Sequence, residues 1–397
     1  MSKVLPLSGK PATPAGPGGL NSVEEIVADL RAGRMVIIMD DEDRENEGDL
    51  IMAAQLATPE AVAFMIRHAG GIICVPMEEE RLARLDLPQM VASNSESHRT
   101  AFTISVDLRA GTTTGVSSGD RAATIRALAD ERSQAGDFAR PGHIFPLRSR
   151  RGGVLVRTGH TEAAVDLCRM AGLQPAGVIC EVMNDDGTMA RRPQLEAFAR
   201  QHGLKIGTIA DLIRYRLRNE RSVERVRMQP VQTELGEFNL YAYEDRISQD
   251  VHLALTRGQL QGGEAPLVRV HVVDPLRDLL GIRADPLAWT LRAAMERIAR
   301  AGNGVIVILR DRESPDDLLD SVRSLVAPGA AADAAPQTGS RAAAMRADGG
   351  VLRTFGVGAQ ILKDLGVRRM RVLSAPKQIH GIAAFGLEIE GYVGEDG

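Results

Sequence analysis

The sequence predicts an α+β fold of two domains, each a mixed β-sheet flanked by helices. Three observations carry that expectation. Short apolar, β-branched runs recur, too brief for typical helices and suited to buried strands. They alternate irregularly with stretches bearing helix start and stop signals, so hairpin and crossover connections are mixed. The segment Asn219 to Pro230 is charged and lacks a clear strand, which places a boundary there. The 397 residues then divide into a leader over 1–21 and domains over 22–220 and 221–397.

The elements follow in order. Residues 1–21 carry Pro6, Pro11, Pro14 and Pro17 among glycines and read as a mobile leader. Ser22 and Glu25 form a capping box for a helix to about Ala32, stopped by Gly33. Met35 to Met39 reads as a buried strand, and Asp40 to Asp49 as an acidic loop after it. Thr58-Pro59 opens a helix to about Ala69, and 71–75 is a strand. Residues 93–118 read as Ser/Thr/Gly-rich binding loops around a strand at 101–107. Asp120 is expected to cap a helix to about Asp130, 154–156 to be a short strand, and Thr161 to cap a helix ending near Ala171. A strand over 177–183 ends in the turn Asn184 to Gly187, and helices follow near 193–202 and 209–218. Beyond the boundary, strands and helices continue to alternate, with an Ala/Gly-rich stretch at 327–350 read as a loop or insertion. No internal repeat is seen.

Composition narrows the function classes. A net charge of −4 gives no general pull toward nucleic acid or an anionic membrane. Aromatics at 3% leave little for base stacking. No apolar stretch reaches the roughly 18–20 residues that span a bilayer. The three cysteines, Cys74, Cys168 and Cys180, match no zinc or disulfide spacing, and a reducing cytoplasm fits them best.

Seven of the ten residues from Asp40 to Asp49 are carboxylates. Like charges this dense, at the mouth of a strand, need a compensating cation, and magnesium is the natural hard one. The plainer alternative is a solvated acidic turn, but Arg44, an anion binder, and Gly48, which permits a tight backbone, sit within the run. Further clusters are Arg140-Pro-Gly-His143, Arg157-Thr158-Gly159-His160-Thr161-Glu162 and Cys180-Glu181. Gly159 before a helix start offers free N–H groups for a phosphate, with Arg157 as a clamp. His160 could face a ligand or a metal, or be a structural hydrogen-bonder. His143 could be an aimed ring or a simple loop histidine. Glu181 closes an apolar strand, at a solvent edge or poised in a site. Together these groups point to metal-assisted proton abstraction next to a carbonyl of a small phosphorylated compound. The residues by themselves do not name the substrate.

Five stretches, D-D-E-D-R-E-N-E-G-D at 40–49, T-T-G-V-S at 113–117, R-P-G-H at 140–143, G-H-T-E-A at 159–163 and N-D-D-G-T-M-A-R at 184–191, resemble 3,4-dihydroxy-2-butanone 4-phosphate synthase. The resemblance covers about 20–218. It implies conversion of D-ribulose 5-phosphate to 3,4-dihydroxy-2-butanone 4-phosphate and formate, on the way to riboflavin. It also implies magnesium, with manganese as a substitute, and a homodimer. Carried over residue by residue, it assigns Glu45 and His160 to the metal, and Arg44, Glu45 and Asp49 to the sugar phosphate. Arg157 and Thr161 hold the phosphate end, with Thr158 and Gly159 lining it, and His160 and Glu181 are also at the substrate. His143 and Glu181 match essential catalytic positions. Glu42, Asp43 and Glu47 are candidates for moving protons, and Cys74 lies near the substrate or is simply a buried small residue.

From about 230 onward the chain resembles GTP cyclohydrolase II, on Arg269-Val-His271 and Gly356 to Gly366. That family binds zinc through cysteines spaced C-x10-C-x-C, and no cysteine follows Cys180 here. The matching stretches read Val273-Asp274-Pro275 and Arg283-Ala-Asp-Pro286. The family's arginine-bearing Q-E-G-R-G-I-G-L segment is replaced by 311–317. A thiolate zinc site cannot exist without thiolates, so no zinc is expected and the second domain is read as a retained fold without cyclohydrolase activity. The alternative is a bifunctional enzyme using a divergent site.

Overall fold

The computed structural model describes residues 19–282, 289–310, 318–319, 322–323, 350–374 and 382–394. The leader, the stretch 283–286, the segment 311–317 and all but the last residue of the Ala/Gly-rich stretch 327–350 lie outside the described residues, save Gly19 to Asn21 at the leader's end. Contacts divide the chain between Ile213 and Arg214 into two compact units.

The first unit runs α1 (Val23–Arg31), β1 (Val36–Met39), β2 (Gly48–Ala53), α2 (Pro59–Phe64), β3 (Cys74–Met77), α3 (Glu79–Arg84), β4 (Val106–Leu108), α4 (Ser118–Ala129), β5 (Phe138–Arg148), α5 (His160–Met170), β6 (Gly177–Glu181), α6 (Arg192–His202), β7 (Lys205–Thr208) and α7 (Ile209–Asn219), which reaches past the division. Its seven-stranded sheet has the order β4-β5-β3-β6-β2-β1-β7. Pairings are antiparallel for β1/β2, β2/β6, β3/β6 and β4/β5, and parallel for β1/β7 and β3/β5, so the sheet is mixed. Both β1 and β2 are buried along their whole length, because helices cover the two faces. Ser22 and Glu25 close the capping box that starts α1.

The second unit runs β8 (Val223–Thr233), β9 (Gly236–Asp245), β10 (Val251–Arg257), β11 (Leu267–Val272), α8 (Pro275–Asp278), α9 (Leu291–Ala301), β12 (Gly304–Leu309), α10 (Gly350–Asp364), β13 (Arg369–Leu373) and β14 (Glu388–Val393). Its sheet order is β14-β13-β11-β12-β10-β9-β8, again mixed. Each unit is therefore a mixed sheet flanked by helices, as the sequence predicts. Among the described residues no helix is long and apolar enough to cross a membrane.

Several local expectations are corrected. The charged segment after Asn219 is the strand β8, whose residues are mostly exposed at the sheet edge, so charge there marks a protected edge rather than a missing strand. The Arg140 to His143 motif lies within β5, not in a loop. The strand at 101–107 is reduced to β4, with only isolated bridges at Phe102 and Thr103 before it. Residues 154–156 are no strand: Gly153–Leu155 is a 3-10 turn, since Gly152 and Gly153 take φ of 97° and 64° and end any extended run. Ser117 and Gly159, not Asp120 and Thr161, are the caps of α4 and α5. The helix opened by Thr58 gives way at Met65 to a π turn. Strand β2 is an addition, hidden because its first residues are the last of the acidic run.

Candidate active site

Four elements bring the sequence motifs together. The end of β1 runs into the acidic loop, Asp49 is the second residue of β2, β6 ends at Glu181, and α5 starts at His160. Asp49 lies directly opposite Glu181 in the β2/β6 ladder, so the two carboxylates share a face at neighbouring strand ends.

Asp40 folds the loop. Its carboxylate accepts from the backbone N–H of Glu45 at 3.1 Å, from that of Glu47 at 2.8 Å, and from Arg44 Nη1 at 2.9 Å. Asn46 turns the chain with φ of 55°, and Arg191 Nη1 donates to the carbonyls of Glu45 (2.7 Å) and Asn46. A Cβ on Gly48 would sit 2.5 Å from Leu195 Cδ1, so only glycine lets α6 pack this close. Arg44 is almost wholly buried, and its Nη1 also meets Glu45 Oε2 at 2.8 Å.

His160 lies beneath this loop. Its Nε2 meets the Ile38 carbonyl at 3.1 Å and thus donates, which turns Nδ1 toward Glu45 Oε2 and Asp49 Oδ1, each at 3.6 Å. Although burial works against a charged ring, Asp49, Glu45 and Asp40 raise the His160 pKa to about 9. Burial, then the charges of Glu181, Glu45 and Asp40, pushes Asp49 up to about 8 against the pull of His160. Glu45 is held near 2: its burial is outweighed by His160 and Arg44. Glu47 is raised, first by burial and then by Glu45.

Ligand atoms of Asp40, Glu45 and His160 lie within 4.8 Å of one another. Asp49 Oδ1 is buried without a hydrogen-bond partner among the described residues. Two oxygen donors and one imidazole nitrogen, beside an unsatisfied carboxylate oxygen, fit a hard divalent cation.

Positive charge gathers next to these groups, at the start of α5. A Cβ on Gly159 would lie 2.5 Å from Arg157 Nη1 and 3.1 Å from Arg44 Nη2, so both guanidiniums converge at the start of α5. Thr158 Oγ1 is buried there without a partner among the described residues, and Thr161 is buried in the first turn. A cavity of about 500 Å³ is lined among others by Arg44, Glu45, Glu47, Asp49, Cys74, Arg157, His160, Thr161 and Glu181. Glu181 Oε2 accepts the Ile72 N–H at 2.8 Å, which fixes its carboxylate. Cys74 does line the cavity, but burial and then the charges of Glu181 and Asp49 push its thiol pKa well up, so it stays protonated.

The other predicted residues lie apart from the cavity wall. Glu42 and Asp43 are exposed on the outside of the acidic loop. His143 does not line the cavity; its Nδ1 is 2.7 Å from Asp107 Oδ2, and its backbone N–H donates to Asp107 Oδ1. Sequence reasoning missed Asp40 as the hub that folds the acidic loop, Asp107 as the partner of His143, and Glu96, His98, Thr100 and Phe102 as cavity lining. The Ser/Thr richness of 93–118 was the only signal for that wall. In the second unit, His271 Nε2 meets the Asp278 carboxylate at 2.9 Å, and the Asp274 N–H donates to the same group.

A cavity whose wall carries both candidate metal donors and two converging guanidiniums is that of an enzyme acting on a small phosphorylated compound. Comparison with known proteins specifies it. Residues 24–215 match the family model of 3,4-dihydroxy-2-butanone 4-phosphate synthase, and 224–394 that of GTP cyclohydrolase II. A 3,4-dihydroxy-2-butanone 4-phosphate synthase of Pseudomonas aeruginosa is 54% identical over 94% of this chain and 99% of its own. The crystal structure of a two-domain 3,4-dihydroxy-2-butanone 4-phosphate synthase from A. baumannii is similar at 44% identity and TM-score 0.78, over 94% of this chain and 99% of that one. A 3,4-dihydroxy-2-butanone 4-phosphate synthase solved with two magnesium ions matches 51% of this chain and 99% of its own, at 45% identity and TM-score 0.50. The chain belongs to the 3,4-dihydroxy-2-butanone 4-phosphate synthase family of riboflavin biosynthesis, and carries a GTP cyclohydrolase II-like second half.

Proposed function

We propose that the first unit converts D-ribulose 5-phosphate to 3,4-dihydroxy-2-butanone 4-phosphate and formate in this cavity, with magnesium held by Glu45 and His160, and Asp40 beside them. Manganese, also hard, suits the same donors. When bound, the cation supplies a Lewis acid for the vicinal oxygens of the ketose. Arg157, Thr158 and Thr161 hold the phosphate at the α5 start, with Arg44 reaching the same place. Clamping that end carries the carbon chain toward Glu47, Asp49 and Glu181. Glu47, with its raised proton affinity, suits a group that takes a proton and gives it back. Asp49 and Glu181, fixed side by side, suit the later transfers at the neighbouring carbons. The exposed positions of Glu42 and Asp43 favour these inner carboxylates over them as proton carriers.

The chain acts as a homodimer in this reading. His143 matches an essential position of the family yet does not line its own cavity, so it is offered to the cavity of a second copy, with Asp107 fixing its ring. The second unit has no cyclohydrolase activity, because it has no cysteine with which to bind the family's zinc.

The observation that carries the reading is one cavity wall that holds both crowded carboxylates and two guanidiniums converging on the α5 start. The test is formate release from D-ribulose 5-phosphate. Release should stop with EDTA and return with excess magnesium. No release under full magnesium would refute the assignment.

A further inference from the structure

Arg157 is held on three sides. Its Nη1 donates to Glu162 Oε2 at 2.8 Å. Nη2 donates to the His98 carbonyl at 3.2 Å and to Thr100 Oγ1 at 2.9 Å, and Nε to the same carbonyl at 3.3 Å. A guanidinium has five N–H donors, so one N–H of Nη1 is left. Nη1 also occupies the space a Cβ on Gly159 would take, 2.5 Å from that position, at the start of α5. The unspent donor therefore lies on the side of Arg157 that meets the helix start.

Glu162 is placed to set that orientation. It is 1% exposed, and its other oxygen accepts the Arg150 N–H at 2.9 Å, so the carboxylate cannot swing. It lies in the first turn of α5, where the helix dipole favours a negative group. The wall facing it is equally tied: Glu96 accepts from the N–H of His98 and of Thr100, each at 2.8 Å, and this fixes the carbonyl and hydroxyl that Arg157 meets. A buried carboxylate beside an anion site opposes the anion by its charge. Its presence makes sense if what it gains in aiming the clamp exceeds that repulsion.

We propose that Glu162 is a positioning residue for phosphate binding: with the His98 carbonyl it fixes Arg157 so that a single Nη1 donor, beside Gly159, is presented to the substrate. The proposal rests on the reading of the α5 start as the phosphate end. It assigns Glu162 no contact with substrate, metal or the reacting carbons.

The test compares full-length wild type with Glu162→Gln, Arg157→Ala and the double variant. Steady-state kinetics with D-ribulose 5-phosphate are combined with calorimetric binding of inorganic phosphate and of magnesium. Glu162→Gln should raise KM, and weaken phosphate binding, about tenfold, with kcat within about threefold and magnesium affinity unchanged. Arg157→Ala should raise KM further. The double variant should lose no more than Arg157→Ala, because Glu162 acts only through that side chain. Should Glu162→Gln not fold, Glu162→Asp, which is too short to hold both Nη1 and the Arg150 N–H, is held to the same criteria. An unchanged KM in the Glu162 variant, or additive losses in the double variant, would overturn the proposal. An unchanged KM in Arg157→Ala would remove the phosphate-end reading and the proposal with it, whereas a raised KM there alone would remove only the proposal.

Discussion

Each unit of the molecule buries histidine against carboxylate, and His160 of the first and His271 of the second are not alike. His160 faces Glu45 and Asp49 at 3.6 Å with Asp40 close by, and that Asp49 oxygen has no hydrogen-bond partner among the described residues. His271 faces one carboxylate, Asp278, which also takes a backbone N–H. The first arrangement crowds more carboxylates together than His160 and Arg44 can pair with, since Glu47 and Glu181 line the same cavity, so it suits a further cation. The second pairs one imidazole with one carboxylate among the described residues, and there it is the imidazole Nδ1, not a carboxylate oxygen, that lacks a hydrogen-bond partner. A histidine beside acid is thus no mark of a metal site by itself; the surplus of acid over available cation is.

Four outcomes would sharpen or break this contrast. The largest concerns the surplus itself. Glu45→Ala should lower formate release from D-ribulose 5-phosphate by at least about 10³-fold. Mixing it with equally inactive His143→Ala should restore part of the activity if the two residues serve one cavity from two copies. No restoration in exchanged mixtures would confine His143 to its own chain. Second, purified protein given GTP and zinc should release neither formate nor pyrophosphate at enzyme-like rates. Clear turnover would give the second unit a catalytic site without thiolates.

Third, at pH 7 and without metal, Asp49 and His160 both hold protons, since their pKa values are raised to about 8 and 9. A cation must displace those protons, so its binding is weakened at low pH and strengthens as pH rises from about 7 toward 9. Magnesium affinity should climb by up to about tenfold per pH unit for each proton released, with proton release seen by calorimetry in buffers of different ionisation heat. A flat profile would place the cation elsewhere. The smallest effect on turnover belongs to the second histidine. Asp278→Ala breaks a buried pair and should cost the second unit about 3 kcal/mol in denaturant unfolding, while formate release stays within about twofold. Lost formate release would show that the pair does more than support its own unit.

Much of the site was legible in the sequence because it is written in contiguous motifs. Arg44, Glu45, Asp49, Arg157, Thr161 and Glu181 all line one cavity, and each belongs to a run whose residue types already carry the chemistry. Glu42 and Asp43 were not separable from Glu45 and Glu47 by type, since which carboxylates of a dense run turn inward depends on the hub at Asp40 and on Arg191 from another element. The cavity wall at Glu96, His98 and Thr100 carried no motif. Strand β8 escaped because an edge strand needs no apolar alternation.

The sequence by itself determined the two mixed-sheet units, the family, and the absence of zinc thiolates from the second half, because patterning, long motifs and the lack of a residue type are all local properties of the chain. Only the tertiary structure decided that Asp49 stands opposite Glu181, that His160 turns Nδ1 toward two carboxylates, and that Arg157 is held between α5 and the 96–100 wall. Those facts depend on strand register and on contacts between residues far apart along the chain, which no single stretch of sequence encodes.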